Sequence, residues 1–163
     1  MSNKEYLTRA GKGAVVRVEQ IVTKEGAVRR PKNMSLLEIH NLSSQEKIGI
    51  IRTGISKKHL SDIKTELELD YDELSEVLGT SRATLINKKK SQTFDTKVSE
   101  KIVLLTDVLG YGREIFGDND NFNEWLKTPS EALGNVTPLS IMDTMYGIEE
   151  VKKEIGRIAY GVF

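Results

Sequence analysis

Residues 70–90 read Asp70-Tyr71-Asp72-Glu73-Leu74-Ser75-Glu76-Val77-Leu78-Gly79-Thr80-Ser81-Arg82-Ala83-Thr84-Leu85-Ile86-Asn87-Lys88-Lys89-Lys90, a stretch that encodes two short helices. Asp70 and Glu73 have capping-box spacing, so each side chain can satisfy an amide that the first helical turn leaves unpaired. Leu69 and Leu74 are spaced as a hydrophobic staple across the same start. Leu74, Val77 and Leu78 supply a buried stripe. Gly79 is placed to end the helix in a left-handed conformation, which glycine adopts without a Cβ penalty. Only Thr80 separates it from Ser81, a cap for a second helix from Arg82 to about Lys90. Two short helices around a Gly-containing turn of this length predict a helix-turn-helix at about residues 71–90.

Helical punctuation continues on both sides. Upstream, Ser43 and Glu46 repeat the capping-box spacing, Ile48 and Ile51 follow three apart, and Gly54 closes the segment. Ser56 is placed to cap a helix with the stripe Leu60, Ile63 and Leu67. Downstream, Thr96 is a candidate cap for a long helix with Val98, Ile102, Leu105 and Leu109 on one face. Gly110 and Gly112 are expected to loosen it, and Ile115 and Phe116 carry its apolar face to Gly117. Asp118–Asn121 reads as a polar turn. Phe122, Trp125 and Leu126 then form an apolar face that ends at Thr128-Pro129, because a residue before proline avoids helical geometry. Thr137-Pro138 is a cap with proline at the first helical position, opening a helix to about Tyr146 and Gly147. A last helix uses Val151, Ile155 and Ile158 and stops at Gly161. Strand-like alternation is absent from residue 35 onward, so the fold class is all-α. Three segments are expected: a basic arm at 1–34, a helix-turn-helix domain at 35–110 and a small helical domain at 111–163.

Composition narrows the function. The chain has 163 residues, 38% of them hydrophobic and 29% charged, enough apolar surface for a core without wholesale disorder. There is no cysteine, so neither disulfides nor thiolate chemistry is available. The two histidines, His40 and His59, read as surface or cap residues, and no metal site or cofactor is expected. No apolar run approaches membrane length and no signal-peptide core precedes the first helix, which makes the cytoplasm the expected address. No Gly-rich phosphate loop, zinc spacing or nucleophile–base pair is legible. The acids at Asp70, Asp72 and Glu73 are explained by capping, so no catalytic residue is assigned and the chain reads as a binding protein.

The net charge is zero, but its distribution is uneven. Residues 1–32 carry eight basic side chains and three acids, a net +5. This arm includes one modest apolar run, Ala14–Val18, that allows a short strand; a basic arm is the simpler reading. Residues 66–76 hold six acids and no base, whereas 82–90 hold Arg82, Lys88, Lys89 and Lys90 with no acid. In a helix-turn-helix the second helix turns one stripe to its scaffold and the other to DNA. Ala83 or Thr84, Leu85 and Ile86 are the candidates for burial. Ser81, Arg82, Thr84, Asn87 and Lys88 form the outward set. Arginine pairs with guanine edges and asparagine with adenine edges, while Lys88, Lys89 and Lys90 suit phosphates. With no net positive charge, DNA affinity would call for a homodimer that doubles the phosphate contacts.

Leu78-Gly79-Thr80-Ser81-Arg82-Ala83-Thr84-Leu85 resembles the helix-turn-helix core of the Xre-type antitoxins. Trp125-Leu126-Lys127-Thr128-Pro129, Ala132-Leu133-Gly134, Thr137-Pro138-Leu139 and Gly147 resemble their toxin-binding domain. Arg157-Ile158-Ala159-Tyr160-Gly161-Val162-Phe163 is similar to the family's usual ending. The resemblance covers roughly residues 45–163, and its second half is the more specific. It implies the antitoxin of a RES–Xre pair, with a cognate RES-domain, NAD-depleting toxin as partner, dimerisation, and repression of its own operon through operator DNA. It further implies toxin contacts at Trp125, Leu126, Pro138, Arg157, Tyr160, Gly161, Val162 and Phe163, with the C-terminal end at the toxin's NAD pocket. The residues themselves leave alternatives open. An apolar terminus after a helix stop more commonly folds back or stays disordered than plugs a pocket, and Trp125 and Leu126 suit a core as well as an interface. A stand-alone repressor whose C-terminal half only dimerises or binds a small ligand is the competing function. Two departures from the family stand out: Asn135 replaces a second glycine after Gly134, and the basic arm has no counterpart.

Overall fold

The computed structural model describes residues 34–89 and 92–161. The expected arm, with Ala14–Val18, and the site candidates Lys90, Val162 and Phe163 lie outside the described residues. Within them the chain forms nine α-helices and a short 3-10 turn: α1 (Leu36–His40), α2 (Ser44–Thr53), α3 (Lys57–Glu66), α4 (Tyr71–Leu78), α5 (Arg82–Asn87), α6 (Thr96–Phe116), α7 (Asn119–Lys127), the turn Glu131–Leu133, α8 (Pro138–Ile141) and α9 (Met145–Ala159). The only strand-like pairings among the described residues are isolated bridges, Ser56 with Thr93 and Ser130 with Val136. The fold is all-α.

Side chains at the helix starts set most of these boundaries. Ser35 with Glu38, Ser43 with Glu46 and Asp70 with Glu73 each close a reciprocal capping box. Gly79 ends α4 at φ 61°, and Ser81 caps α5 by accepting from the Thr84 amide at 3.1 Å. Several boundaries differ from the sequence reading. Asp95, one residue earlier than Thr96, caps α6. Ser56 starts α3 without a side-chain cap, because its hydroxyl is engaged by His59 Nδ1 at 2.8 Å. Asp118–Asn121 is the cap and first turn of α7 rather than a loop. The segment after Thr137 splits: α8 ends at Ile141, and Thr144 caps α9 through the Gly147 amide. Helix α5 stops at Asn87 rather than near Lys90, since Lys88 is extended at ψ 126°.

The 21-residue α6 is the axis of the molecule. It packs against α1, α2, α3, α4, α7 and α9, and one continuous apolar core joins Leu36 and Leu60 in the first half to Met142 and Ile155 in the second. Val98, Ile102, Leu105 and Leu109 are buried as their spacing predicts. In α2 it is Ile50 that is buried, while Ile48 is 46% exposed. Gly110 and Gly112 do not loosen α6. A Cβ at Gly110 would overlap the His40 ring, and one at Gly112 would overlap the Phe122 ring. These glycines are seats for neighbouring rings. His40 thus packs over Gly110 with Nδ1 3.3 Å from Asp107, whose carboxylate also takes Lys47 at 2.7 Å. His59 is 9% exposed and bridges Ser56 to the Met34 carbonyl. Both histidines are structural residues of the interior edge rather than surface or cap positions.

Candidate functional site: a helix-turn-helix face and a C-terminal helical face

Helix α5 packs on α4, and of its side chains only Leu85 is buried. Ala83 and Thr84 are exposed and Ile86 is 40% exposed, so the expected burial of a wider stripe is corrected. A six-residue helix has less than two turns, and one leucine suffices to seat it on the α4 stripe. Ser81, Arg82, Thr84 and Asn87 all face solvent. Ser81 and Thr84 are hydroxyl-bonded to each other at 2.8 Å. The Arg82 guanidinium reaches back to the Asp72 carboxylate at 3.0 Å, with both side chains more than half exposed. An exposed pair of this kind contributes at most about 1 kcal/mol, so it holds Arg82 in place without preventing exchange for another acceptor. Lys88 lies over the Phe94 ring at 5.3 Å. Lys89 is exposed beyond the helix end, where its amide donates to Gln92 at 3.2 Å.

The second face is built by α7, α8 and α9. Trp125 stacks on Phe122 at 6.0 Å and packs on Phe116 at 5.3 Å, leaving it half-buried beside a shallow depression with Asn121, Glu124 and Thr128. Leu126 is 1% exposed and Pro138 is buried, so both serve the core here. Glu66 anchors α7 by accepting from Arg113 and from Asn119 Nδ2. Along α9, Tyr146, Glu149, Glu150, Lys153, Arg157 and Tyr160 recur at helical spacing on one outward face. Its ion pairs are Lys153 with Glu150 at 2.6 Å and Arg157 with Glu154 at 2.7 Å. The pairing with Lys153, chiefly its hydrogen bond, holds Glu150 below its ordinary value and Lys153 above its own. Tyr146 is 83% and Tyr160 86% exposed. They stand fourteen residues apart, about 21 Å along a helix axis, at the two ends of that face. Tyr146 and its exposed neighbour Met145 escaped the sequence reading, which ran one helix across them. Gly161 follows at φ 65°, turning the chain out of α9.

Two family models match successive segments of this arrangement. Residues 46–106 match the antitoxin Xre-like helix-turn-helix domain, and residues 112–161 match the antitoxin Xre/MbcA/ParS C-terminal toxin-binding domain. The chain belongs to the Xre/MbcA/ParS antitoxin family. Its curated relatives include the Prs ADP-ribosylating antitoxin of Sphingobium sp. (strain YBL2), 29% identical over 77% of this chain and 85% of that protein. Antitoxin Xre of Photorhabdus laumondii is 37% identical over 42% of this chain and 47% of its own length. Antitoxin Xre of Yersinia enterocolitica is 28% identical over 71% and 80% respectively. This antitoxin therefore joins a helix-turn-helix and a toxin-binding domain, and the two matched segments meet within α6.

The departure at Asn135 now has a physical explanation. Gly134 and Asn135 both have positive φ, 79° and 62°, in the turn that returns the chain to Val136. Asparagine is among the few non-glycine residues that tolerate this conformation, and the Asn135 amide donates to Ser130 at 2.8 Å. Here asparagine makes the turn that glycine would. Among the described residues no helix is long and apolar enough to cross a membrane, and no group of three or more His, Cys, Asp or Glu is placed to hold a metal ion.

Proposed function

We propose that this antitoxin neutralises a RES-domain, NAD-consuming toxin by occluding its active site, and that it binds its own operator as a homodimer. It acts by binding, with no catalytic group of its own. The observation that carries the first half is the outward face of α9, which displays Tyr146 and Tyr160 almost fully to solvent with Arg157 exposed on the same face. Exposed tyrosines flanked by charge are the composition of an interface anchor with a polar rim. Arg157, Tyr160 and Gly161 form the described end of this contact, and Val162 and Phe163 extend it in the sequence with two apolar residues. Trp125 borders the same half, with Leu126 and Pro138 supporting it from the core. The name of the Sphingobium relative ties that protein to ADP-ribosylation, a reaction that consumes NAD, which favours a partner of this chemistry.

The second half rests on the solvent-facing row Ser81, Arg82, Thr84 and Asn87, with Lys88, Lys89 and Lys90 beyond it. Residues 35–110 form the operator-binding segment and 111–163 the toxin-binding one. The test is co-expression with the RES-domain protein of the same operon. The full chain restores cellular NAD and growth and co-purifies with the toxin. A chain lacking 161–163 loses protection while still binding the operator fragment. Unchanged protection by the truncated chain sinks the occlusion mechanism. Arg82→Ala with Asn87→Ala loses specific operator binding and keeps the toxin; a double variant that still binds specifically refutes the base-reading assignment. A chain that never captures the toxin but shifts the operator would be a stand-alone repressor.

A further inference from the structure

We propose that Asp72 is a specificity-determining residue of the operator interface, holding the Arg82 guanidinium by one edge so that its other edge is presented to a guanine in the major groove. This inference rests on the base-reading assignment of Arg82 and deepens it. Asp72 is a positioning residue that acts through Arg82.

Capping accounts for two of the three acids at the start of α4 but not for the third. Asp70 accepts from the Asp72 and Glu73 amides, and Glu73 accepts in return from the Asp70 amide at 2.7 Å. The Asp72 carboxylate makes no such bond. Its one hydrogen-bond partner among the described residues is Arg82, ten residues on and first in α5. A bare carboxylate beside a polyanion opposes DNA binding, so its placement against the leading arginine of α5 calls for a role there.

The geometry of the pair supplies that role. Both contacts are made by Nη1, at 3.2 Å to Oδ1 and 3.0 Å to Oδ2. Among the described residues nothing else accepts from this guanidinium, which leaves the Nε and Nη2 hydrogens side by side for another partner. Two parallel donors are what the O6 and N7 acceptors of guanine require. Arg82 is 57% and Asp72 62% exposed, so the remaining edge is open to a ligand.

The backbone beneath Arg82 is fixed as well. Leu85 is fully buried against α4, Ser81 accepts from the Thr84 amide, and Lys57 of α3 donates to the Ile86 carbonyl. What is left to order on binding is the long arginine side chain, and ordering such a chain lowers affinity. Asp72 orders it beforehand in one orientation, which favours one base edge over the others.

The decisive experiment measures the natural chain, Asp72→Ala, Arg82→Ala and the double variant on the DNA fragment upstream of its own gene. Copies with single G·C pairs changed to A·T, and a shuffled fragment of equal length, are measured beside it. Alanine is a strong helix former, and melting curves confirm that each variant is folded. The natural chain should prefer G·C at one position per half-site, and Arg82→Ala should abolish that preference. Asp72→Ala should shrink it about two- to fivefold, the worth of an exposed ion pair expressed as an affinity ratio. Its binding to shuffled DNA should stay equal or tighten, because a negative charge has gone. In the Arg82→Ala chain the Asp72 substitution should change the preference no further, as expected of two residues acting as one unit.

Failure of the natural chain to bind, or an Arg82→Ala chain that keeps the preference, overturns the base-reading assignment and this inference together. Loss of the preference in Arg82→Ala but not in Asp72→Ala overturns this inference alone. In that case, tighter binding of Asp72→Ala to every fragment makes Asp72 a source of repulsion only, and uniformly weaker binding makes it a support of the helix start only.

Discussion

The Lys101 ammonium donates to the Val77 carbonyl at 3.0 Å and also to the Asp143 carbonyl. One side chain of α6 thereby ties the last turn of the helix-turn-helix scaffold, α4, to the bend between α8 and α9. Nothing in the spacing of Lys101 announces this, since it falls on the same helix as the core stripe but half-buried at its margin. The two halves of the antitoxin are joined there by a hydrogen-bonded cation as well as by the core.

Replacing Lys101 with methionine keeps the aliphatic stem and removes both donations. Hydrogen bonds made by a charged group contribute about 1.5–3 kcal/mol where buried, and partial exposure places this one at the low end. The Lys101→Met chain should lose about 1–2 kcal/mol, read as a lower urea midpoint with an unchanged denaturant slope. An unchanged midpoint would mean that the link is not made in solution.

Gly112 gives a test with two opposed effects. Alanine in the middle of a helix is favoured over glycine by up to about 1 kcal/mol. At Gly112 the added methyl meets the Phe122 ring, itself fully buried and in contact with Phe116 and Trp125. Overpacking of this kind costs about 1–3 kcal/mol, so Gly112→Ala should lower the melting temperature. Phe122→Leu in the same chain should recover part of the loss. A higher melting temperature for Gly112→Ala would show that the ring yields freely.

How far each feature is legible in the sequence follows the range of the interaction that defines it. Asp70 with Glu73, and Ser43 with Glu46, act within four residues, so a reader of the chain meets the whole interaction at once. Leu74, Val77, Leu78 and Gly79 are local in the same sense, and the helix-turn-helix was legible from them. Gly110 and Gly112 are defined by His40 and Phe122, the first of which lies seventy residues away, and their sequence context suggests only helix weakness. The break at 142–144 was missed because Thr137-Pro138 opens a helix convincingly, while the cap that restarts it, Thr144, acts on the Gly147 amide amid no strong apolar period. Tyr146 therefore reads as helix interior from sequence, whereas among the large hydrophobic side chains of that half only Tyr160 is more exposed. At the candidate DNA face the outward residues were legible from the turn, but the pairing of Arg82 with Asp72 was not.

Asp70 should make stability depend on acid pH. Its carboxylate accepts from the Glu73 and Asp72 amides at 2.9 and 2.8 Å. Chiefly through the Glu73 amide, these bonds hold it below its ordinary value of 3.8. A folded-state value below the unfolded one contributes stability above the unfolded value and loses it as pH falls through the folded one. The advantage of the natural chain over Asp70→Asn should therefore be full near pH 6 and shrink as pH falls through 3.8 and below. Urea midpoints for both chains across that range give the answer. A difference that stays constant down to about pH 2 would show that the cap's charge is immaterial.

The C-terminal half lets core and interface be separated by stability alone. Leu126 is fully buried on the inner face of α7, and removing its side chain leaves a cavity, so Leu126→Ala should cost about 2–5 kcal/mol. Tyr146 and Tyr160 bury little in the free protein, so Tyr146→Ala and Tyr160→Ala should each stay within about 0.5 kcal/mol of the natural chain. Toxin capture should show the reverse order of directness. The tyrosine variants, fully folded, should dissociate from the toxin at least tenfold faster, as loss of an aromatic anchor costs about 2 kcal/mol or more. Leu126→Ala should impair capture only in proportion to its unfolded fraction, and a stabilising osmolyte should restore it. Tyrosine variants that remain folded and keep the natural dissociation rate would move the interface off the outward face of α9.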